Sequence, residues 1–402
     1  MIPLEDARDR VLGSLPPPQP ITLASGSALG LVLAADVVSP SVVPPFDNSA
    51  MDGFALRHAD LTEIPIVLPV TEDLAAGHVA RGQVEPGTAI KIMTGAPIPG
   101  GADTVVKVED TEPAESGVRI MQRPDLGAAV RPAGGDVGRG DLVFGAGEVL
   151  TARHLGVLAA IGVSEVEVYR PLRAAILSTG DEVMPPDTVG LKPGQIRDSN
   201  RPLLDGLLSG IGVEVVDYGI VQDDAEALRE AFATAASDCD IVVTSGGVSM
   251  GEYDLVKQVL VELGDVDLWK VAMQPAKPFA FGRVGEAPLF GLPGNPVSVF
   301  VAFEQFVRPA IRKMMGHSYL LRPRLDGTLS EPVDTDPEKT VFLRVVVDVD
   351  TEGRPVALAG GQSSNVLSAT ARADAFAVVP RGVGSLPAGE TVQLEMFGWS
   401  HD

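Results

Sequence analysis

From Arg173 onward the chain alternates short β-branched runs with longer helical ones, and no other feature restricts its fold so sharply. "RAAILSTG" reads as a strand, "NRPLLDGLLSGIG" as a helix and "VEVVDYGIV" as a strand. "DAEALREAFATAAS" is again helical, "CDIVVTSGG" a strand and "DLVKQVLVEL" a helix, and the alternation ends on the helical run "PVSVFVAFEQFVRPAIRKMM". A strand period that gives way repeatedly to a helical period marks βαβ units. Parallel strands cannot be joined by tight turns, so each pair needs a crossover, and the crossovers cover the sheet. The expectation is a three-layer α/β domain with a mostly parallel sheet.

The flanks have a different texture. Residues 1 to about 40 read as one helix ("LEDARDRVLGSL"), a proline-rich stop and a further short helix around Ser27 to Ala34. From Val42 to about Asp141, runs such as "AIKIM", "DTVVKVED" and "GVRIMQR" alternate with Gly/Pro turns, which predicts an all-β module. "TARHLGVLAAIG" returns to helical spacing, and after Ser318 strands and turns reappear in "TVFLRVVVDVD", "AFAVVP" and "TVQLEMF".

Composition narrows the function. At 402 residues the chain has room for several cores. Its net charge of −23 argues against a nucleic-acid binder, because phosphate backbones reward basic faces. An anionic substrate would need local cations to overcome that field. No apolar run reaches membrane-spanning length, and "MIPLEDARDRVLGSL" lacks the architecture of a secretory signal. The single cysteine, Cys239, excludes an internal disulfide framework and suits a reducing, cytoplasmic compartment; before the strand "IVVTS" it reads as a buried structural thiol. The five histidines show no zinc-ligand spacing.

Two strand ends carry glycine and acid together: "ILSTGDE" and "IVVTSGGVSMGEYD". In a parallel sheet the ligand crevice lies beyond the carboxyl ends of the strands. Glycines there let backbone N–H groups approach an anion. A carboxylate beside a phosphate makes sense through a divalent cation. The alternative is structural: Gly246, Gly247 and Gly251 build a turn, and Asp254 caps the helix that follows. Neither GxxxxGK[ST] nor GxGxxG is present, which disfavours ordinary nucleotide hydrolysis and nicotinamide chemistry.

Seven stretches then occur in order: "PPFDNSAMDGFALR", "IMTGAPIPGGADTVV", "STGDEV", "GQIRDSNRPLL", "TSGGVSMGEYD", "KPFAFG" and "GLPGNPVSVFV". Together, over about Leu4 to Phe397, they resemble the molybdopterin molybdenumtransferase family, of the MoeA and gephyrin E-domain type. The resemblance implies a Mg²⁺-assisted transferase of the last step of molybdenum cofactor synthesis. Adenylylated molybdopterin and molybdate would be converted to cofactor with release of AMP. It also implies a homodimer, with molybdopterin adenylyltransferase and recipient molybdoenzymes as further partners. The implied domains are a split N-terminal one (1–41 and 142–172), an inserted β module (42–141), the α/β domain (173–317) and a C-terminal β-barrel-like domain (318–402). Competing readings are a molybdopterin adenylyltransferase, which shares the α/β domain, and a non-catalytic molybdopterin-binding scaffold.

Carried over motif by motif, the resemblance gives Asp223, Asp254, Glu182 and Lys270 catalytic roles, with Asp181, Glu182 and Asp254 on the metal. Substrate contacts would come from Asp52, Thr94, Asp198, Ser199, Asn200, Gly246, Gly247, Ser249, Lys277, Arg344 and Ser364. Helix capping is the competing account of Asp223 and of the "RDSN" run, and Arg344 could equally be an outward-facing strand residue. The "GLPGNP" turn is expected to shape the cleft wall. One departure stands out: the family commonly reads KPGKP where this chain has "QPAKP", so Gln274 replaces a lysine and Ala276 a glycine.

Overall fold

The structure, a computed structural model, describes residues 1–246 and 255–398. They divide into two compact units: Met1–Ile21 with Gly30–Val32 and Val168–Asp402, and Thr22–Leu29 with Leu33–Glu167.

The first unit contains the α/β sheet. Its six strands are β1 (Arg173–Thr179), β2 (Glu214–Val221), β3 (Ile241–Ser245), β4 (Gly264–Lys270), β5 (Pro278–Val284) and β6 (Ala287–Leu292), in the order β2-β1-β3-β6-β5-β4. The first four in that order are parallel, whereas β5 runs antiparallel to both β6 and β4. Successive side chains of a strand point to opposite faces, and here both faces are buried. Ala174, Ile176, Ile241, Val243, Phe290 and Leu292 face one core, which includes Leu204 and Leu208 of the Asn200–Ser209 helix. Ala175, Leu177, Val242 and Leu289 face the other, against Leu228 and Phe232 of the Ala225–Asp238 helix and Val256 and Val259 of the Leu255–Leu263 helix. Each of the Val, Leu, Ile and Phe side chains contributes roughly 1.5–3 kcal/mol when fully buried. This is the three-layer arrangement.

The C-terminal residues form a closed five-stranded barrel of Arg324–Leu329, Thr340–Val347, Pro355–Leu358, Ala375–Val379 and Thr391–Met396. The barrel is not isolated. Met273–Gln274, in the connection from β4 to β5, pairs in parallel with Thr340 and Val341. Phe342 and Phe376 pack with Phe300 and Phe397. The N-terminal Leu4–Gly13 helix lays Leu4, Ala7 and Val11 on the sheet's first core, and Arg8 donates to the Gln305 side chain at 2.6 Å.

The second unit holds the β module, with a four-stranded sheet (Val70–Leu74, Ala89–Ile92, Gly53–Leu56, Thr104–Lys107) and a three-stranded one (Ile66–Leu68, Gly117–Ile120, Thr111–Ala114). Val37–Val38 pairs with Leu142–Phe144, so the chain segments on either side of the module meet. The helix expected around Ser27 to Ala34 is absent. Only a single turn of tight helix forms at Ser25–Ser27. Gly30 then takes φ of +82°, and Leu33 and Ala34 donate to the carbonyls of Glu148 and Glu167. Those strand-like partners outcompete a short helix that has no long apolar face of its own.

Candidate active site

Beyond the carboxyl ends of β1, β3 and β6 lies a cavity of about 340 Å³. Its walls include Ser178, Thr179, Glu182, Asp198, Ser199, Asn200, Gly246 and Asn295. The place is dictated by topology: three neighbouring parallel strands end together there.

The "RDSN" run does two jobs at that wall. Asp198, whose side chain is 1% exposed, accepts from the backbone N–H groups of Asn200 and Arg201 through Oδ1, so the capping account holds. Its Oδ2 has no hydrogen-bond partner and lies 3.4 Å from Arg201 Nε. Asn200 donates to the Gly294 carbonyl at 2.8 Å, while its Oδ1 is buried without a partner. Thr179 Oγ1 is likewise buried and unpartnered. Buried polar atoms are ordinarily satisfied, and leaving one unpaired costs about 1–3 kcal/mol. Two such atoms, with Asp198 Oδ2 held only by its ion pair to Arg201, suit a polar ligand. Ser199 sits at the helix start and makes no side-chain cap.

Gly246 has a different role from the one expected. Its N–H donates to the Leu292 carbonyl at 3.2 Å, so it is not offered to an anion. With φ at +89°, a Cβ there would lie 2.6 Å from the Thr179 carbonyl oxygen. The glycine lets the ends of β1 and β3 close on each other. Gly247, Ser249, Gly251 and Asp254 lie outside the described residues.

The acids beside the cavity separate cleanly. Asp224, not Asp223, caps the Ala225–Asp238 helix, accepting from the N–H groups of Glu226 and Ala227. The Asp223 side chain is thereby released from the structural role, and its N–H donates to Asp181 Oδ1 at 3.1 Å. Burial, followed by the neighbouring charges of Asp181 and Glu182, pushes the Asp223 carboxyl above the usual carboxylate range. Glu182 lines the cavity itself. Among the described residues no three His, Cys, Asp or Glu form a ready-made metal cluster.

A second group gathers where the sheet joins the barrel. Lys270 ends β4 at the sheet edge and does not line the cavity. Gln274 is exposed on the short strand beside the barrel, and Ala276 adopts φ of +74°, a left-handed conformation that favours glycine. Lys277 is exposed and helps hold Asp336 below its usual pKa, after Lys339 and the Glu338 N–H. Arg344 is 1% exposed, which rules out an outward-facing strand residue. Its terminal nitrogens donate to the carbonyls of Gly361 and Ser363, and Nε is buried without a partner. Burial lowers its pKa with no carboxylate to offset it. Arg344 therefore shapes the 361–364 loop and leaves an uncompensated positive charge under it. That loop reaches the cavity wall, because Asn295 Nδ2 donates to Ser364 Oγ at 3.1 Å.

Asp52 and Thr94 belong to the second unit. Thr94 donates its N–H and its hydroxyl to Asp52 Oδ1, both at 2.7 Å, and those bonds hold the Asp52 carboxyl below its ordinary range. Sequence reasoning did not single out Thr179 or Arg197 as lining residues, whereas Asn295 lies in the "GLPGNP" turn that was expected to shape the cleft wall. Thr179 and Arg197 both sit inside runs already singled out, "ILSTGDE" and "GQIRDSNRPLL", without having been named individually.

Three stretches match known families: residues 2–162 the MoeA N-terminal region (domain I and II), 175–313 the probable molybdopterin binding domain, and 326–397 the MoeA C-terminal region (domain IV). A molybdopterin molybdenumtransferase of Haemophilus influenzae is 39% identical over 99% of this chain and 99% of its own. Molybdopterin molybdenumtransferase 2 of Mycobacterium tuberculosis is 38% identical, with 94% and 95% covered. A solved molybdopterin biosynthesis MoeA protein from Pyrococcus horikoshii gives a TM-score of 0.83 at 33% identity, covering 99% of this chain and 100% of that one.

Proposed function

The chain belongs to the MoeA family of molybdopterin molybdenumtransferases, and from that premise we propose that it inserts molybdenum from molybdate into adenylylated molybdopterin and releases AMP. The observation that carries the reading is the carboxyl-end cavity, which keeps unpartnered Thr179 and Asn200 atoms and whose wall residue Asn295 bonds a loop resting on a buried guanidinium without a carboxylate partner. The first set suits the N–H and O–H groups of a nucleotide or pterin. The second suits an oxyanion, since a buried cation gains most from a charge-assisted partner.

In this reading Asn200 and Thr179 orient the organic ligand across the ends of β1 and β3. Ser364 and Lys277 hold the molybdate oxyanion at the barrel side, Arg344 adds its buried positive charge from beneath the 361–364 loop, and Gln274 adds a neutral donor. Asp223 serves the phosphate side. A divalent cation such as Mg²⁺ would offset the like charges that Asp181 and Glu182 place beside the part-buried Asp223. Asp181, Glu182 and Asp254 would hold it, together with ligand oxygens. When bound, that ion supplies charge neutralisation at the pyrophosphate. Lys270, at the sheet edge, would act from outside the cavity wall.

Purified protein given adenylylated molybdopterin and molybdate should release AMP, and removal of the divalent cation should suppress it. Absence of AMP release would overturn the reading; efficient adenylylation of molybdopterin from Mg-ATP would replace it. A homodimer is the expected working form, with Asp52 and Thr94 serving a shared site. Mixing Asp52→Ala subunits with Asp254→Asn subunits should then restore part of the activity, and no rescue after verified exchange would remove that part of the proposal.

A further inference from the structure

Asparagine is among the best helix N-caps, and Asn295 occupies the N-cap position of the Pro296–Ala302 helix, yet it makes no capping bond. Its amide instead donates to Ser364 Oγ at 3.1 Å. The turn behind it is fixed independently, because Asn200 Nδ2 holds the Gly294 carbonyl. The loop ahead of it is fixed as well: Arg344 holds the carbonyls of Gly361 and Ser363, and Gln362 exchanges bonds with the Arg344 backbone. Among the described residues, Asn295 forms a hydrogen-bonded link between these two segments.

A serine hydroxyl has one proton and two acceptor positions. When the Asn295 amide donates to Ser364 Oγ, it occupies an acceptor position and points its own hydrogen along that line. The Ser364 proton is then directed elsewhere, away from Asn295. We infer that Asn295 is a positioning residue that sets the polarity of the Ser364 hydroxyl, so that Ser364 presents its proton to a bound oxyanion. The inference rests on the oxyanion reading above and assigns the residue that makes Ser364 a donor.

The geometry predicts opposite consequences for two substitutions. Asn295→Asp puts an acceptor where a donor stood, so the Ser364 proton turns toward the new carboxylate, which also repels an anion. Asn295→Ala merely frees the hydroxyl to rotate. Neither removes a cap, because the wild-type side chain provides none, and Asp is itself a good cap.

The test is molybdate binding by isothermal titration, on the full chain without the organic ligand, with thermal unfolding as the check on folding. Asn295→Asp should weaken binding by about ten- to hundredfold, the size of a charge-assisted hydrogen bond. Asn295→Ala should weaken it by about threefold, and should add nothing in a Ser364→Ala background, since the two act as one unit. Wild-type binding that Asn295→Asp leaves unchanged, or additive losses in the double variant, would overturn the inference alone. Absence of molybdate binding by the wild type would instead overturn the oxyanion reading. Should Asn295→Ala fail to fold, the Asn295→Asp result decides the question.

Discussion

The α/β sheet has a hollow at each end, and the larger one is not the candidate site. At the amino ends of the strands a cavity of about 420 Å³ is lined by Arg170, Leu172, Cys239, Asp240 and Ala287 among others. Two of its charges are settled against each other. Arg170 donates through both terminal nitrogens to Asp240, and the Arg173 N–H donates to the same carboxylate. Cys239 is 7% exposed, and burial raises its thiol pKa, so it behaves as an inert core residue. At the carboxyl ends the smaller cavity keeps polar atoms with no partner. Volume is what packing leaves over; unmet hydrogen-bonding capacity is what a ligand can use.

Two carboxylates measure the contrast. Asp223, at the carboxyl side, is pushed up by burial and by Asp181. For Asp240, at the amino side, burial alone would do the same, but the Arg170 and Arg173 bonds prevail and hold it below its usual range. The largest expected effect follows from the first. Asp223→Asn should cut AMP release by about a hundredfold, the scale for losing an acid that supports a bound cation, with the fold intact. A near wild-type rate would dissolve the distinction between the two ends. Next, Asp240→Asn should cost about 1–3 kcal/mol by chemical denaturation, because Arg170 is left half-buried and underpaired, while AMP release by the folded fraction stays near wild type.

Gln274→Lys probes how far the carboxyl-end site extends into the barrel junction. It should lower the molybdate concentration for half-maximal AMP release by about threefold, most clearly at low salt. An unchanged requirement would confine the oxyanion group to Lys277, Arg344 and Ser364. The smallest effect is one of sign. A raised native pKa means that the folded state holds its proton more tightly, so Asp223 subtracts stability as pH rises from the unfolded value through the native one. In metal-free buffer, Asp223→Asn should therefore raise Tm slightly at neutral pH, with the gain gone by acid pH. Asp240 has the opposite linkage. Its contribution is present above the unfolded pKa and lost as pH falls through the depressed native one, so the Asp240→Asn penalty should shrink in acid. Matching pH trends for the two variants would contradict the assignment.

The layers of the α/β domain were legible because β1, β3 and their crossover helices carry unmistakable periods. The reversal of β5 between β4 and β6 was not, since an apolar run states that it is buried but gives no strand direction. At the site, position was easier to read than role. "DD" at 223–224 holds one cap and one free acid, and only the helix start separates them. "FLR" gives no sign that the Arg344 guanidinium turns inward, because that depends on carbonyls of a loop that follows later in the chain. Asn295 looked like part of a turn, and its bond to Ser364 depends on two segments remote in sequence.

The strand Met273–Gln274 bears on how the chain can be divided. A boundary near residue 318 looks natural from sequence texture, but it cuts through joined structure. A fragment holding the barrel alone would lose the hydrogen-bonded neighbour of Thr340 and Val341 and would uncover Phe342 and Phe376 to water. A bare strand edge beside exposed aromatic rings is a template for self-association. The barrel is thus closed as a ring yet not portable: grafted elsewhere, it would have to carry residues 271–277 with it or find another chain to lie along that edge.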